Sequence, residues 1–435
     1  MGSDPRVLVI APDDDLVGPL CQGLDALGWR TVTARSVPAA LAALSDLALE
    51  AVILDTRCAG SVDLPGALKQ AAFPRRLPVI SFGATSGPPD DDIDLVMTNP
   101  PHPAQAALRL EQLVRAAIAD EEVSLREATF LFRGSPLTAP APESADLRIL
   151  AAGKPDHRFL ALSNALTAAG CEVVAAPTPY TAFDYLHERP FDAVVLWGGE
   201  DHAPAQSIAS GMKRNTRLYH IPAVLYLSHP GEIDLSELYG RGFADVAAVD
   251  TPEQETADRI VALARTHRRH QAIRRTLEAA RHSGLTDPAT GLFTPTLFAS
   301  HLSRVTESAR ERRRPLSVCV LRITDTPELA EIRAGGWLHR ALPQLGAMVS
   351  RLIRVEDTAA RLAADIFALA LPATTEGSAR IAADRIAAVI GCTAFDAGTG
   401  RSPFVVGFDI GVAEMQPGES PADLLDRASA NLAAS

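Results

Sequence analysis

Up to about residue 270, the chain repeats itself at an offset of 142 positions. Arg6-Val-Leu-Val-Ile-Ala11 resembles Arg148-Ile-Leu-Ala-Ala-Gly153, and Ala51-Val-Ile-Leu-Asp55 resembles Ala193-Val-Val-Leu-Trp197. Gly28 and Gly170 keep the same spacing, each closing a helical pattern before a short valine-containing run. Three matches at one offset imply two copies of one domain. In the first copy, apolar runs at 7–10, 31–33, 51–54, 78–82 and 95–98 alternate with helical patterns. A continuous run such as Ala51-Val-Ile-Leu54 suits a strand buried on both faces, as in a parallel sheet. Strand–helix alternation then predicts an α/β fold with a doubly wound parallel sheet in each copy.

Composition sets the boundaries and removes several function classes. The 435 residues suffice for two to four domains, and 47% hydrophobic with 22% charged residues is ordinary for a globular chain. The segment 134–144, rich in Gly, Pro and Ser, cannot sustain a helix. Residues 252–283 read as a helix, and its basic residues (Arg265, His267, Arg268, Arg269, Arg274, Arg275) read as a solvated face. The expected domains are therefore 1–120, a linker at 121–145, then 146–272 and 273–435. A net charge of -12 argues against DNA as the main partner. No apolar run approaches the roughly 20 residues of a membrane span, and the chain starts without a signal-peptide pattern. A cytoplasmic location without membrane insertion is the expectation. The five cysteines include no Cys-x-x-Cys pair, so buried free thiols are expected rather than a zinc site or disulfides.

Five strands in roughly 120 residues resemble the receiver domains of response regulators, which implies a flavodoxin-like topology. Receiver chemistry needs an acceptor aspartate, two further acids on Mg²⁺, a hydroxyl and a lysine. Asp55 stands at the acceptor position, as a possible phosphoacceptor. The acid pair aligns with Ala11-Pro12, with Asp13, Asp14 and Asp15 following. The hydroxyl position falls near Gly83, flanked by Ser81 and Thr85, and the lysine position falls on Asn99. In the second copy Trp197 replaces the acceptor, so that domain is expected to be a spacer or a docking surface.

The third segment carries a different signature. Asp287-Pro-Ala-Thr-Gly-Leu292 opens it, and Arg354-Val-Glu-Asp357 is followed after five residues by Ala363-Ala-Asp365-Ile-Phe367. A strand at Leu316–Ile323, a helix at 376–390, a strand at 404–412 and a closing helix at 423–432 complete the pattern. This order resembles the GGDEF domain of diguanylate cyclases, a nucleotidyl-cyclase-like α+β fold. The whole chain resembles PleD-type regulators, two receivers followed by a GGDEF domain, and within them the PopA-like members whose signature has degenerated.

The resemblance implies that the catalytic site is lost. Its two metal-holding acids align with Arg322 and Ile366, and its two glycines with Ala363 and Ala364; Asp365 alone keeps a carboxylate. The guanine-reading positions align with Ala330 and His339. No metal, no cofactor and no cyclase activity are expected. The inhibitory product site of the family, Arg-x-x-Asp, is intact at Arg354 and Asp357, with Arg385 as the second ligand arginine and Arg380 as an accessory. A guanidinium fork matches a guanine edge or a phosphate bidentately. The expected function is that of a non-catalytic cyclic di-GMP effector, paired as a homodimer in the receiver manner. PopA-like membership further implies a cell-pole adaptor acting with RcdA, CtrA and the ClpXP protease. The alternative is a response regulator controlled by phosphorylation of Asp55.

Overall fold

The computed structural model describes residues 5–58, 63–83, 92–137, 146–198, 202–227, 234–248, 250–280, 284–398 and 400–434. The described residues of 3–117 and 142–272 form one compact unit; those of 118–141 and 273–435 form another.

The first unit holds two parallel sheets of matching design. β1 (Arg6–Ile10), β2 (Arg30–Ala34), β3 (Ala51–Asp55), β4 (Val79–Phe82) and β5 (Leu95–Val96) pair in the order β2-β1-β3-β4-β5. β6 (Leu147–Ala152), β7 (Cys171–Ala176), β8 (Ala193–Gly198), β9 (Ala223–Leu227) and β10 (Asp245–Ala248) pair in the same order, read as β7-β6-β8-β9-β10. This is one of the two common doubly wound arrangements. The repeat extends to register: Val7 pairs with Ala51 in one sheet, and Ile149 with Ala193 in the other. Every residue of β3 and of β8 is buried, as strands covered on both faces must be. Gly28 and Gly170 both hold positive φ, 89° and 82°, which is why the same residue type closes both helices.

Two long helices, Pro103–Phe132 and Glu253–Ala279, carry the chain from the first unit into the second. Residues 121–132, expected as linker, are therefore helix. Helix formers and apolar residues at Ala119, Val123 and Phe130 sustain it, and these side chains pack within the second unit. The remainder of the expected linker lies largely outside the described residues, as does Thr85. The basic face of the other helix departs from expectation in part. Arg265 and Arg269 are exposed, but His267 is buried, and Arg268 holds Asp192 at 2.6 Å and donates to the Asp146 carbonyl at 2.7 Å. At Arg268 a carboxylate and a carbonyl from the second α/β domain stand in for water.

The second unit is built on an antiparallel sheet. β11 (Leu316–Ile323) lies between β13 (Ile366–Pro372) and β14 (Phe408–Glu414), with β12 (Thr358–Arg361) and β15 (Ala433–Ala434) at the edges. Alternate residues of β11 enter two cores. Val318 and Val320 pack under helices Pro295–Glu311 and Pro421–Ala430; Cys319, Leu321 and Ile323 pack under Trp337–Leu352 and Glu376–Gly391. The strand expected at 404–412 starts only at Phe408, because Phe404 pairs in an isolated bridge with Phe395. Gly346 lets helix Trp337–Leu352 approach the chain closely: a Cβ there would meet the Thr290 carbonyl oxygen at 2.1 Å. Among the cysteines, Cys171 and Cys319 are buried but Cys392 is exposed, so burial is not general. Burial pushes the Cys319 thiol up to about 12, with Asp357 adding to the shift.

Candidate functional site

Helix Trp337–Leu352 ends at Ile353, and the next four residues form a closed turn before β12. Asp357 shapes this turn. Its carboxylate accepts the Arg354 backbone N–H at 2.8 Å, and its own N–H donates to the Arg354 carbonyl at 3.3 Å. The Arg354 side chain is left exposed. Among the described residues it has no hydrogen-bond or ion-pair partner. Arg385, on helix Glu376–Gly391, donates to the Leu352 carbonyl at 2.9 Å, two residues before Arg354. The fold thus gathers Arg354, Asp357 and Arg385 around one helix end. Arg380 is anchored elsewhere: it donates to the Ile410 carbonyl of β14 at 3.1 Å.

Beneath the turn lies a polar cluster that sequence reasoning missed. Arg126, on the helix Pro103–Phe132, is 1% exposed. Its guanidinium donates to the carbonyls of Asp357 at 2.9 Å, Val355 at 3.3 Å and Leu277 at 3.3 Å, and to the Thr358 hydroxyl at 3.1 Å. Its Nε meets Glu122 at 2.7 Å, and the same carboxylate oxygen contacts His301 at 2.8 Å. Thr129 completes the chain at His301 Nδ1, 3.1 Å away. Burial opposes ionisation of Glu122, but the charges and hydrogen bonds of His301 and Arg126 outweigh it and hold the carboxyl below its usual range. Arg126 therefore fixes the backbone of the turn from within. The only sequence signal was the i, i+4 spacing of Glu122, Arg126 and Phe130 on one helix face.

The neighbouring hairpin, between β12 and β13, holds Ala363, Ala364 and Asp365 at its tip. Leu362 and Ala363 both donate N–H groups to the Ile366 carbonyl, and Arg361 donates to the carbonyls of Ala363 and Ala364. Neither alanine adopts positive φ, so their Cβ atoms bring no backbone strain. Register sets Arg322 directly opposite Ile366 on one side and Asp409 on the other. The two positions aligned with metal-holding acids are thus cross-strand neighbours, occupied by a cation and an alkyl group. Arg322 holds Asp409 at 2.7 Å, and Arg333 lies 3.5 Å from Asp365. Asp409 is a second carboxylate here that the sequence reading did not single out. Among the described residues, no group of three or more His, Cys, Asp or Glu side chains is arranged to hold a metal ion. Ala330 and His339 are exposed on the helices that follow β11.

Residues 284–435 match the family described as diguanylate cyclase, GGDEF domain. This part of the chain is a GGDEF domain. Such domains normally catalyse cyclic di-GMP synthesis. Solved structures similar to it include the GGDEF domain of FimX from Pseudomonas aeruginosa, 23% identical, covering 34% of this chain and 91% of that one, TM-score 0.32. Another is the GGDEF domain of DgcB from Caulobacter crescentus, crystallised with c-di-GMP: 19% identical, covering 34% and 88%, TM-score 0.31. No curated protein matches the chain. Within the GGDEF domain, the Arg354 turn and the signature hairpin are the two loops that flank β12.

In the first α/β domain, Asp55 is 1% exposed at the end of β3. Arg57 encloses its carboxylate, with Nη2 at 2.6 Å, Nε at 3.1 Å and its backbone N–H at 2.9 Å. Asp13 caps the helix Asp14–Ala26 by accepting the Asp15 N–H; the Asp14 side chain is outside the described residues. In the second domain, Trp197 stacks on Tyr226 at 4.0 Å and donates from Nε1 to Asp156 at 3.2 Å. An indole and a phenol fill the position that Asp55 holds in the first domain. Among the described residues no helix is long and apolar enough to cross a membrane.

Proposed function

We propose that this chain is a receptor for cyclic di-GMP that no longer synthesises it. The dinucleotide is bound at the Arg354 turn of the GGDEF domain. The observation that carries this reading is the unequal state of two adjacent loops. At the signature hairpin, Arg322 lies across Asp409 and Ile366 supplies no oxygen, so a magnesium triphosphate meets a cation where it needs anions. At the turn, Arg354 presents an exposed guanidinium, Asp357 holds the backbone, and Arg385 is bound to the Leu352 carbonyl, two residues before Arg354. Arg354 forms the fork to a guanine edge or phosphate, Arg385 the second cation, and Asp357 the turn that aims them. Arg126 enters as a positioning residue, acting through the carbonyls of Val355 and Asp357.

The two α/β domains are, on this reading, receivers removed from phosphoryl transfer. The Arg57 fork over Asp55 and the aromatic stack at Trp197 support this over control through Asp55. The output is then a protein surface, and the adaptor role toward RcdA, CtrA and ClpXP at the cell pole, as a homodimer, is the specific form the resemblance implies.

Isothermal titration tests the proposal. Wild-type protein should bind cyclic di-GMP saturably and Arg354→Gly should not. Equal binding by both, or binding by neither, refutes it. Radiolabelled GTP incubated with pure protein should yield no cyclic di-GMP; any product refutes the loss of synthesis.

A further inference from the structure

Within the second unit, the Arg354 turn has two sides. Arg354 is exposed, whereas Glu356 and Asp357 are 3% and 5% exposed. Val355 packs in a small apolar cluster with Ala119 and Val123 from helix Pro103–Phe132 and with Ile273 and Leu277 from helix Glu253–Ala279. These helix ends belong to the same unit as the turn. The cluster is separate from the two cores that cover the sheet. One residue of the turn is therefore packed against both of the helices that carry the chain into this unit.

Arg126 repeats the connection with polar groups. Its stem is on the first helix, and Nη2 donates to the carbonyls of Val355 at 3.3 Å and Asp357 at 2.9 Å. Nη1 donates to the Leu277 carbonyl at 3.3 Å, in the last turn of the second helix. Carbonyls in a helix's last turn need donors from outside the helix. Glu122 holds Nε at 2.7 Å, so the guanidinium cannot swing to follow a retreating carbonyl without breaking that pair. Undocking either helix end would expose Val355 to water or leave buried carbonyls short of a donor. Both connections run through the four residues that present Arg354.

We infer that the Arg354 turn couples its ligand to these two helix ends: a cyclic dinucleotide held on the outer side tightens segments 119–126 and 273–279 on the inner side. The inference rests on the turn being a cyclic di-GMP site. The turn is held in the form that aims Arg354 only while both helix ends are docked, so the ligand has higher affinity for the docked state. Differential affinity is what shifts such an equilibrium. The coupling is reciprocal, so loosening a helix end weakens the ligand by the same factor. The occupied state of the turn is thereby read out on the two helices that lead away from it.

The test is amide hydrogen exchange of the full-length protein with and without saturating cyclic di-GMP, with titration of the same samples. Exchange in 119–126 and 273–279 should slow by a factor about fivefold greater than in helix Pro421–Ala430, which supplies no partner to Val355 or Arg126. Ile273→Ala removes no charge or hydrogen bond, yet should weaken cyclic di-GMP binding by about fivefold or more and diminish the slowing at 119–126, on the other helix. Leu424→Ala, an equally buried truncation on helix Pro421–Ala430, should bind as wild type does. Uniform slowing across 284–435, as ligand stabilisation alone produces, overturns the coupling and leaves the ligand site standing. Wild-type affinity in Ile273→Ala, or equal weakening by Leu424→Ala, does the same. Absence of cyclic di-GMP binding by wild type refutes the site itself, and the coupling with it.

Discussion

Two loops flank β12, and they hold their charges in opposite ways. At the hairpin after the strand, both nearby carboxylates have an arginine beside them: Asp365 at its tip has Arg333, and Asp409 on the neighbouring β14 has Arg322. In the turn before it, the carboxylate is bound to backbone and the arginine is left exposed. The hairpin is electrostatically closed; the turn is built to present a cation. The difference shows that a site is defined less by which residues it contains than by which of them are already satisfied. Both loops contain arginine and aspartate within a few residues, yet at the turn the Arg354 side chain has no carboxylate beside it among the described residues.

The contrast can be broken most forcefully from below. Arg126→Met removes the guanidinium that holds the turn carbonyls and leaves Glu122 buried with only His301 and the Thr358 hydroxyl beside it. A loss of about 3–5 kcal/mol in the stability of the second unit is expected, by analogy with broken buried ion pairs, and is measurable by urea unfolding. Cyclic di-GMP binding should fall with it. A milder change separates folding from binding: Arg354→Ala should leave the urea midpoint unchanged and cost about 1.5–3 kcal/mol of binding, about 10- to 150-fold in affinity by titration. The hairpin should respond far less. Arg322→Ala frees Asp409 at an exposed pair, so the stability change should stay within about 1 kcal/mol, and GTP turnover should remain absent because Ile366 still supplies no ligand.

Acid sharpens the same comparison. Glu122 has a folded-state pKa below its unfolded value, so its contribution is present above the unfolded value and is lost as pH falls through the folded one. Stability of the second unit should therefore decline on the acid side of the ordinary glutamate range. Glu122→Gln should flatten that decline in a series of urea melts; an unchanged slope would show the carboxylate to be uninvolved.

Much of the architecture was legible because it depends on apolar periodicity. The repeat offset of 142 reappears in the strand register, and Leu316–Ile323 has the bounds that its sequence suggests. The positions of Arg322 and Ile366 were readable as a pair of replaced acids, and the sheet sets them opposite each other. What sequence could not display was the partner of each charge. Arg126 looks like any solvated helix arginine until the turn, some 230 positions later, is folded onto it. Asp409 reads as a strand-edge polar residue, and only antiparallel pairing brings it to Arg322. One residue of the basic face of helix Glu253–Ala279 misled for the same reason: Asp192 lies far from Arg268 in the chain but at 2.6 Å in space.

The aromatic plug at the end of the second parallel sheet has a consequence for how this chain can change. Trp197 is stacked on Tyr226, edge-on to Phe159 and hydrogen-bonded to Asp156. Replacing it by aspartate in one step would open a void and strand a charge beside an aromatic wall. The neighbours would have to retreat together before an acid could be accommodated. The packing at this strand end thus keeps an acid out, and no single substitution readmits one.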